Sequence, residues 1–427
     1  MIRSYRYRIY PNRVQQEKLT RFFGCTRKVY NLLLDWWTNA YQESRTTGLP
    51  MPKYPDYNHF ANTEEYSYLK ECDSCALQQA RIHFYNALKV YLDAKSGTRK
   101  GRVGFPTHKK RGKSQDSYTT YNNNGTTVKI IDNRYVTLPK LGKVRIILHR
   151  PFDGRIKSVN VSRTRSGKYY VSLTVDTDTR LEVVNKVHNI DGLSVVGLDM
   201  SLSRFVVSSD QSDDMIPKYV RNYRREETRL KRLEKNLHRK VKGSKNRDKA
   251  RKRLAVASEK VAERRRDYVV KTSLYFARKY DVIVLEDINL QGMSRSLHLG
   301  KSVMDLGFGE FRRWLEWECQ KYDTFVWYAD RFFPSSKTCT RCGCINRDLK
   351  LSDRVWTCPE CGAVLDRDVN AAENLRDVFI TSLYMDNNNR AGTARMQACG
   401  DVASTLRETL GRAVSAKQEA HKSLAYG

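Results

Sequence analysis

VVGLDMSLSRFVVSSD, residues 195–210, is the stretch on which the fold turns. Val195–Leu198 is a short apolar run of the buried-strand type. Asp199 ends it, and RFVVSSD follows as its hairpin neighbour. The same grammar returns in DVIVLEDINL, residues 281–290, where Glu286 and Asp287 stand directly behind a second buried strand. A third acid, Asp368, opens the helical pattern VNAAENLRDVFI of residues 369–380.

Carboxylates at two strand ends and one helix start can converge on a single point from three separate elements. Such a cluster suits two divalent cations about 4 Å apart, one activating water and the other steadying a leaving oxygen in phosphodiester hydrolysis. Mg2+ is the fitting ion, because it is hard, keeps waters and takes a few carboxylates plus substrate phosphate. Taken singly, each acid is ordinary: a turn former, a strand-end charge, a helix cap. Asp287 and Asp366 lie so near that spacing alone leaves the choice open.

The chain has 427 residues, which suggests about three domains. It carries 78 Lys and Arg against 47 Asp and Glu, a net charge of +31, and 40 % of it is hydrophobic. That composition builds real cores and excludes wholesale disorder. No apolar run reaches the roughly 18 residues of a membrane span, and the N-terminus lacks a secretory pattern. A cytoplasmic protein is therefore expected, with no membrane partner. The excess positive charge calls for a polyanion.

Cys339-x2-Cys342, fifteen intervening residues, then Cys358-x2-Cys361 has tetrathiolate zinc-ribbon spacing. Each pair is followed by a glycine, Gly343 and Gly362, as a tight knuckle requires. Four thiolates close the coordination sphere, so one structural Zn2+ is expected. Cys344 is a spare, and Cys72-x2-Cys75 reads as core cysteines on a helical pattern.

Around these motifs, Ile2–Tyr10 alternates as a strand. Helical spacing runs over about 15–41 and 66–92, and 97–117 is a basic loop. Strand signals resume from 128 to 175, which reads as one β-domain interrupted by helices. Residues 183–194 read as a linker. Residues 217–280 read as two antiparallel helices broken at Gly243-Ser244, with basic residues outnumbering acidic ones by about three to one. That imbalance favours a phosphate-facing pair over salt-bridge lacing. Tyr118, Tyr121, Tyr169 and Tyr170 are candidates for stacking unpaired bases. The residues from about Asp386 are polar and small, and an ordered structure is not expected of them.

In order along the chain, VVGLDMSLSRFVVSSD, VIVLEDINLQGM, the segment GFGEFRRWLEWECQKYDTFVWYADRFFPSSKTCTRCG (307–343) and WTCPECGAVLDRDVNAAENL (356–375) resemble the RuvC-like nuclease motifs and zinc ribbon of the TnpB family. These are RNA-guided nucleases encoded by insertion sequences and related to type V CRISPR effectors. The opening MIRSYRYRIYPNRVQQEKLTRFFGCTRKVYN also resembles that family, so the likeness spans about residues 1–380.

The resemblance implies an α+β multidomain fold. It places a wedge β-barrel at 1–12 and 118–182, a helical recognition domain at 13–117, and an RNase H-like RuvC domain at 195–334 and 364–380. The zinc ribbon falls at 335–363 and a poorly ordered tail at 381–427. It makes Asp199, Glu286 and Asp368 the catalytic, Mg2+-holding acids. Ser74 and Gln78, in SCALQQA, become readers of a short target-adjacent motif. Lys109, Lys110, Arg111, Tyr121 and Asn122 fall in a segment that resembles the family's backbone clamp. One departure stands out: Ser201 occupies a position where the family more often has glycine. The partners implied are a guide RNA and target double-stranded DNA, with a monomer favoured. A compact CRISPR-associated effector and a non-catalytic zinc-ribbon DNA-binding regulator are the competing readings.

Overall fold

The computed structural model describes residues 2–122, 125, 127–177, 193–211, 222–290, 292–293, 305–350 and 352–390. Most of the linker at 183–194 and the tail beyond residue 390 lie outside them. The chain is mixed α/β and divides into two compact units. One comprises residues 1–180 with 240–256, the other residues 181–239 with 257–427.

The first unit is built on a seven-stranded sheet. Its strands are β1 (Ile2–Tyr10), β2 (Asp116–Tyr121), β3 (Lys129–Ile131), β4 (Tyr135–Leu138), β5 (Gly142–Ile147), β6 (Arg155–Arg163) and β7 (Tyr169–Asp176), in the order β2-β6-β7-β1-β5-β4-β3. β1 lies inside the sheet, antiparallel to both β5 and β7, so the first residues of the chain pair with strands far along it. Its alternation sends Tyr7 and Ile9 into the core, while Arg6 lies 4.1 Å over the Tyr170 ring.

Between β1 and β2 come α1 (Arg13–Thr47), the short α2 (Tyr57–Ala61), a 3-10 turn and α3 (Ser74–Lys95). Asn12 and Gln15 form a reciprocal capping box at the start of α1, and Gly48 at φ 73° closes it. The helical pattern expected over 66–92 is broken at Cys72-Asp73. Asp73 accepts the Cys75 N–H and caps α3, so the preceding stretch remains a separate 3-10 turn. The Asp116 carboxylate joins α1 to the sheet, meeting Arg27 at 2.5 Å and Arg163 at 2.6 Å.

The second unit holds a four-stranded sheet ordered β11-β10-β8-β9. Its strands are β8 (Val195–Asp199), β9 (Val207–Ser208), β10 (Val282–Glu286) and β11 (Phe325–Ala329). β8, β10 and β11 run parallel, and β9 returns antiparallel to β8. The parallel strands are short and apolar, as strands covered by helices are. Those helices are α5 (Lys245–Lys279), whose residues 257–279 belong to this unit, α6 (Phe308–Lys321) and α7 (Arg367–Arg390), and α4 (Asn222–His238) precedes α5 in the chain. Phe276 from α5, with Phe308, Phe311 and Leu315 from α6, packs on Val196, Leu198 and Ile283. Leu375 and Phe379 of α7 pack on Val282 and Val284. α7 runs to Arg390, so the helix continues past 380 into the first residues expected to be disordered. A small hairpin of β12 (Val355–Thr357) and β13 (Val364–Asp366) stands just before it.

Candidate active site and metal centre

Asp199 and Glu286 end adjacent parallel strands, each one residue past the last paired partners, Leu198 and Leu285. Asp368 reaches them through a close approach of backbones. A Cβ on Gly197 would lie 2.0 Å from the Ala372 carbonyl oxygen and 2.7 Å from the Arg376 nitrogen, so only glycine lets α7 lie on β8. Gly197 and Asp199 share one face of β8, and Asp368 and Ala372 share one face of α7. Two strand residues span about 6.6 Å and four helical residues about 6 Å. Seating Ala372 over Gly197 therefore carries Asp368 toward Asp199.

The electrostatics record this convergence. Burial first, then the charges of Asp368 and Glu286, push the Asp199 carboxyl up to about 7. Glu286 is raised by burial and by neighbouring Asp287. Asp368 is buried. Its Oδ2 accepts the Ser201 hydroxyl at 2.7 Å and meets the Arg204 guanidinium at 3.0 Å, while Arg354 stands 3.5 Å from Oδ1. Ser201 and Phe205 exchange backbone hydrogen bonds that close the loop after Asp199, and the left-handed φ falls on Phe205 at 73°. A serine at 201 thus needs no glycine freedom, and its hydroxyl has a partner.

Asp366 occupies a different position. Its Oδ1 accepts the backbone N–H groups of Asp368 and Val369, both at 3.0 Å, and so caps α7. Although burial opposes it, Arg204 together with those N–H groups holds the Asp366 carboxyl below its usual range. Asp287 is paired with Arg331 and Arg312 beside the cluster.

The four cysteines come together as their spacing predicts. The Sγ atoms of Cys339, Cys342, Cys358 and Cys361 all lie within 4.8 Å of one another, a set that can hold one metal ion. Among the described residues no other group of three or more His, Cys, Asp or Glu is drawn that tight. Gly343 and Gly362 adopt φ 75° and 70°, and each donates its N–H to the first cysteine of its knuckle. The N–H of Cys361 heads the interactions that push the Cys358 thiol down to about 6. Against the N–H of Cys344, which lowers it, desolvation and three crowding thiols push Cys342 up to about 12. Cys344 stays outside the set and packs on its small core.

The expected nucleic-acid contacts divide. Ser74, Gln78, Lys110, Arg111 and Tyr121 are exposed. Asn122 is a correction: it is buried, with its side-chain oxygen accepting from the Val128 N–H and the Thr127 hydroxyl and its amide donating to the Ile156 carbonyl, so it serves the fold and does not present a surface contact. Lys109 is half-buried with its ammonium 3.9 Å over the Tyr30 ring. Tyr118 and Tyr169 are core residues. Sequence reasoning missed Arg204 and Arg354, which meet Asp368 only through the fold.

This arrangement defines a mixed α/β protein with acidic residues at the ends of two adjacent parallel strands and a four-thiolate cluster that can hold a metal ion. Family models match in three places: "Probable transposase" over residues 175–297, "Cas12f1-like, TNB domain" over 308–375, and "Helix-turn-helix domain" over 1–46. A protein of Streptomyces pristinaespiralis that bears the name RNA-guided DNA endonuclease is 33 % identical over 99 % of this chain and 97 % of its own. The Escherichia coli K12 protein InsQ, of the same designation, is 28 % identical over 88 % of this chain and 91 % of its own. A cryo-EM structure of a Cas12f1–sgRNA–target DNA complex superposes with a TM-score of 0.47 and 12 % identity, covering 88 % of this chain and 98 % of that one. The chain belongs to the TnpB family of RNA-guided DNA endonucleases.

Proposed function

We propose that the protein is an RNA-guided, Mg2+-dependent endonuclease that cuts double-stranded DNA with a single RuvC-like site. The observation that carries this reading is the convergence of Asp199, Glu286 and Asp368, where one carboxyl is pushed up to about 7 by burial and like charge. Hard oxygen donors that repel one another fit divalent cations. When bound, two such ions supply water activation and leaving-oxygen stabilisation.

The chain's own groups do the positioning. Strands β8 and β10 hold two acids at fixed register. Ser201 orients the third, and Arg204 and Arg354 balance its charge. The parallel sheet and α7 support the RNase H-like domain at 195–334 and 364–380, with the ribbon at 335–363 holding structural Zn2+. The sheet of the first unit supports a wedge barrel at 1–12 and 118–182 around a recognition insertion at 13–117. Guide RNA pairing reads the target, and the protein reads a short flanking motif, with Ser74 and exposed Gln78 as its candidates. The net charge of +31 answers RNA and DNA phosphates, so binding weakens steeply with salt.

Purification of the full chain, sequencing of the RNA that accompanies it, and cleavage of matching plasmids with and without Mg2+ test this reading. Guided cuts that vanish with Asp199→Asn are expected. Absence of bound RNA, or undiminished cutting by that variant, would overturn it.

A further inference from the structure

β11 ends at Ala329, the partner of Glu286, and the chain turns at once through Asp330-Arg331-Phe332-Phe333. The turn is well tied. Asp330 Oδ1 accepts the Phe332 N–H at 2.8 Å, and its carbonyl accepts the Phe333 N–H at 3.1 Å. Arg331 donates to both the carbonyl and the carboxylate of Asp287, the residue after Glu286. Phe333 tucks against the core formed by β10, β11 and α7. Phe332 does the opposite: at 86 % it is the most exposed large hydrophobic among the described residues.

Single exposed apolar residues are common and ordinarily need no explanation. This one differs in placement. It rides on a hydrogen-bonded turn, three residues beyond Glu286's partner, at the C-terminal end of the parallel strands, where Asp199 and Glu286 also lie. Its neighbour Arg331, together with Arg312 of α6, meets the single carboxylate of Asp287, so two cations share one anion beside the turn. An exposed aromatic face beside cations is what an unpaired base and its phosphate require, whatever the base.

We propose that Phe332 is a stacking platform for an unpaired base of the strand entering the acidic cluster, setting the phosphate it precedes within reach of Asp199 and Glu286. The inference deepens the nuclease reading and rests on it.

The full chain with its co-purified RNA is titrated with a short single-stranded deoxyoligonucleotide unrelated to that RNA, and with the same sequence as duplex. Asp199→Asn is present throughout so that nothing is cut. Phe332→Trp should report saturable quenching by the single strand alone, relative to the parent. Phe332→Ala should bind that strand about ten-fold more weakly, and Phe332→Tyr should restore it. Equal affinities for parent and alanine variant, or an indole insensitive to the single strand, would overturn the platform. Cutting by Asp199→Asn is scored separately. Persistence of cutting would sink the cleavage site itself, a failure distinct from unchanged binding by Phe332→Ala.

Discussion

Gly197 and Ala372 are in backbone contact: the space a Cβ would fill at Gly197 is already taken by the Ala372 carbonyl oxygen, 2.0 Å away. The seating of α7 on β8, and with it the reach of Asp368, depends on that missing methyl. Gly197→Ala must push the helix off the strand. We expect a loss of about 3 kcal/mol or more in urea unfolding, together with a collapse of cleavage. Wild-type stability in this variant would refute the contact.

Asp366 and Asp368 should separate cleanly. Asp366→Ala removes a helix cap and is expected to cost about 1 kcal/mol while retaining substantial cutting. Asp368→Asn should abolish cutting with RNA and DNA binding intact. Urea midpoints and plasmid cleavage, measured on both variants, distinguish the two; the reverse pattern would exchange their roles.

Stability of the metal-free protein should fall as pH rises. Asp199 keeps its proton to about 7 when folded, whereas an unfolded aspartate loses it near 4. The folded state therefore binds more protons between those values. The contribution of Asp199 to stability is full below about 4 and declines through 7, by at most about 1.4 kcal/mol per pH unit. Asp199→Asn should flatten that slope in thermal melts from pH 4.5 to 8, and Mg2+ should raise the melting temperature most at the alkaline end.

The ribbon should carry one zinc per chain by elemental analysis. Cys358→Ser or a strong chelator should remove it, lower the melting temperature and diminish cutting. Cys344→Ser should leave the zinc content at one, because that thiol lies outside the set. A zinc-free yet fully stable protein would contradict this.

Asn122→Ala should destabilise by about 1–3 kcal/mol, since it strands the buried Val128 N–H and Ile156 C=O. The salt dependence of RNA binding should stay unchanged. A shallower salt slope at wild-type stability would instead return Asn122 to the nucleic-acid surface.

Much of this was legible before any coordinates. An apolar run that stops at an acid marks a strand end, so Asp199 and Glu286 were legible as strand-end acids, although with Asp287 adjacent their selection as site residues rested on the family resemblance. Cysteine spacing carried the ribbon, because knuckle geometry is local. What stayed hidden was non-local or conformational. Asp366 and Asp368 are the same residue type two positions apart, and only the N–H groups of α7 tell cap from cluster. Ser201, Arg204 and Arg354 are unremarkable until the fold brings them to Asp368 from more than a dozen residues away. Asn122 lay in a polar stretch that read as surface, yet its amide completes the backbone of a turn. The break before α3 came from Asp73, whose capping oxygen outweighed an otherwise continuous apolar spacing.

The joint between ribbon and helix carries one more consequence. β13 ends at Asp366 and α7 begins at Arg367, with no residue between. Asn370 and Asn374 donate to the Ser335 and Thr338 carbonyls on the ribbon's other side. The thiolate module is thus tied directly to the helix that carries Asp368, so whatever disturbs the ribbon's fold also disturbs that carboxylate.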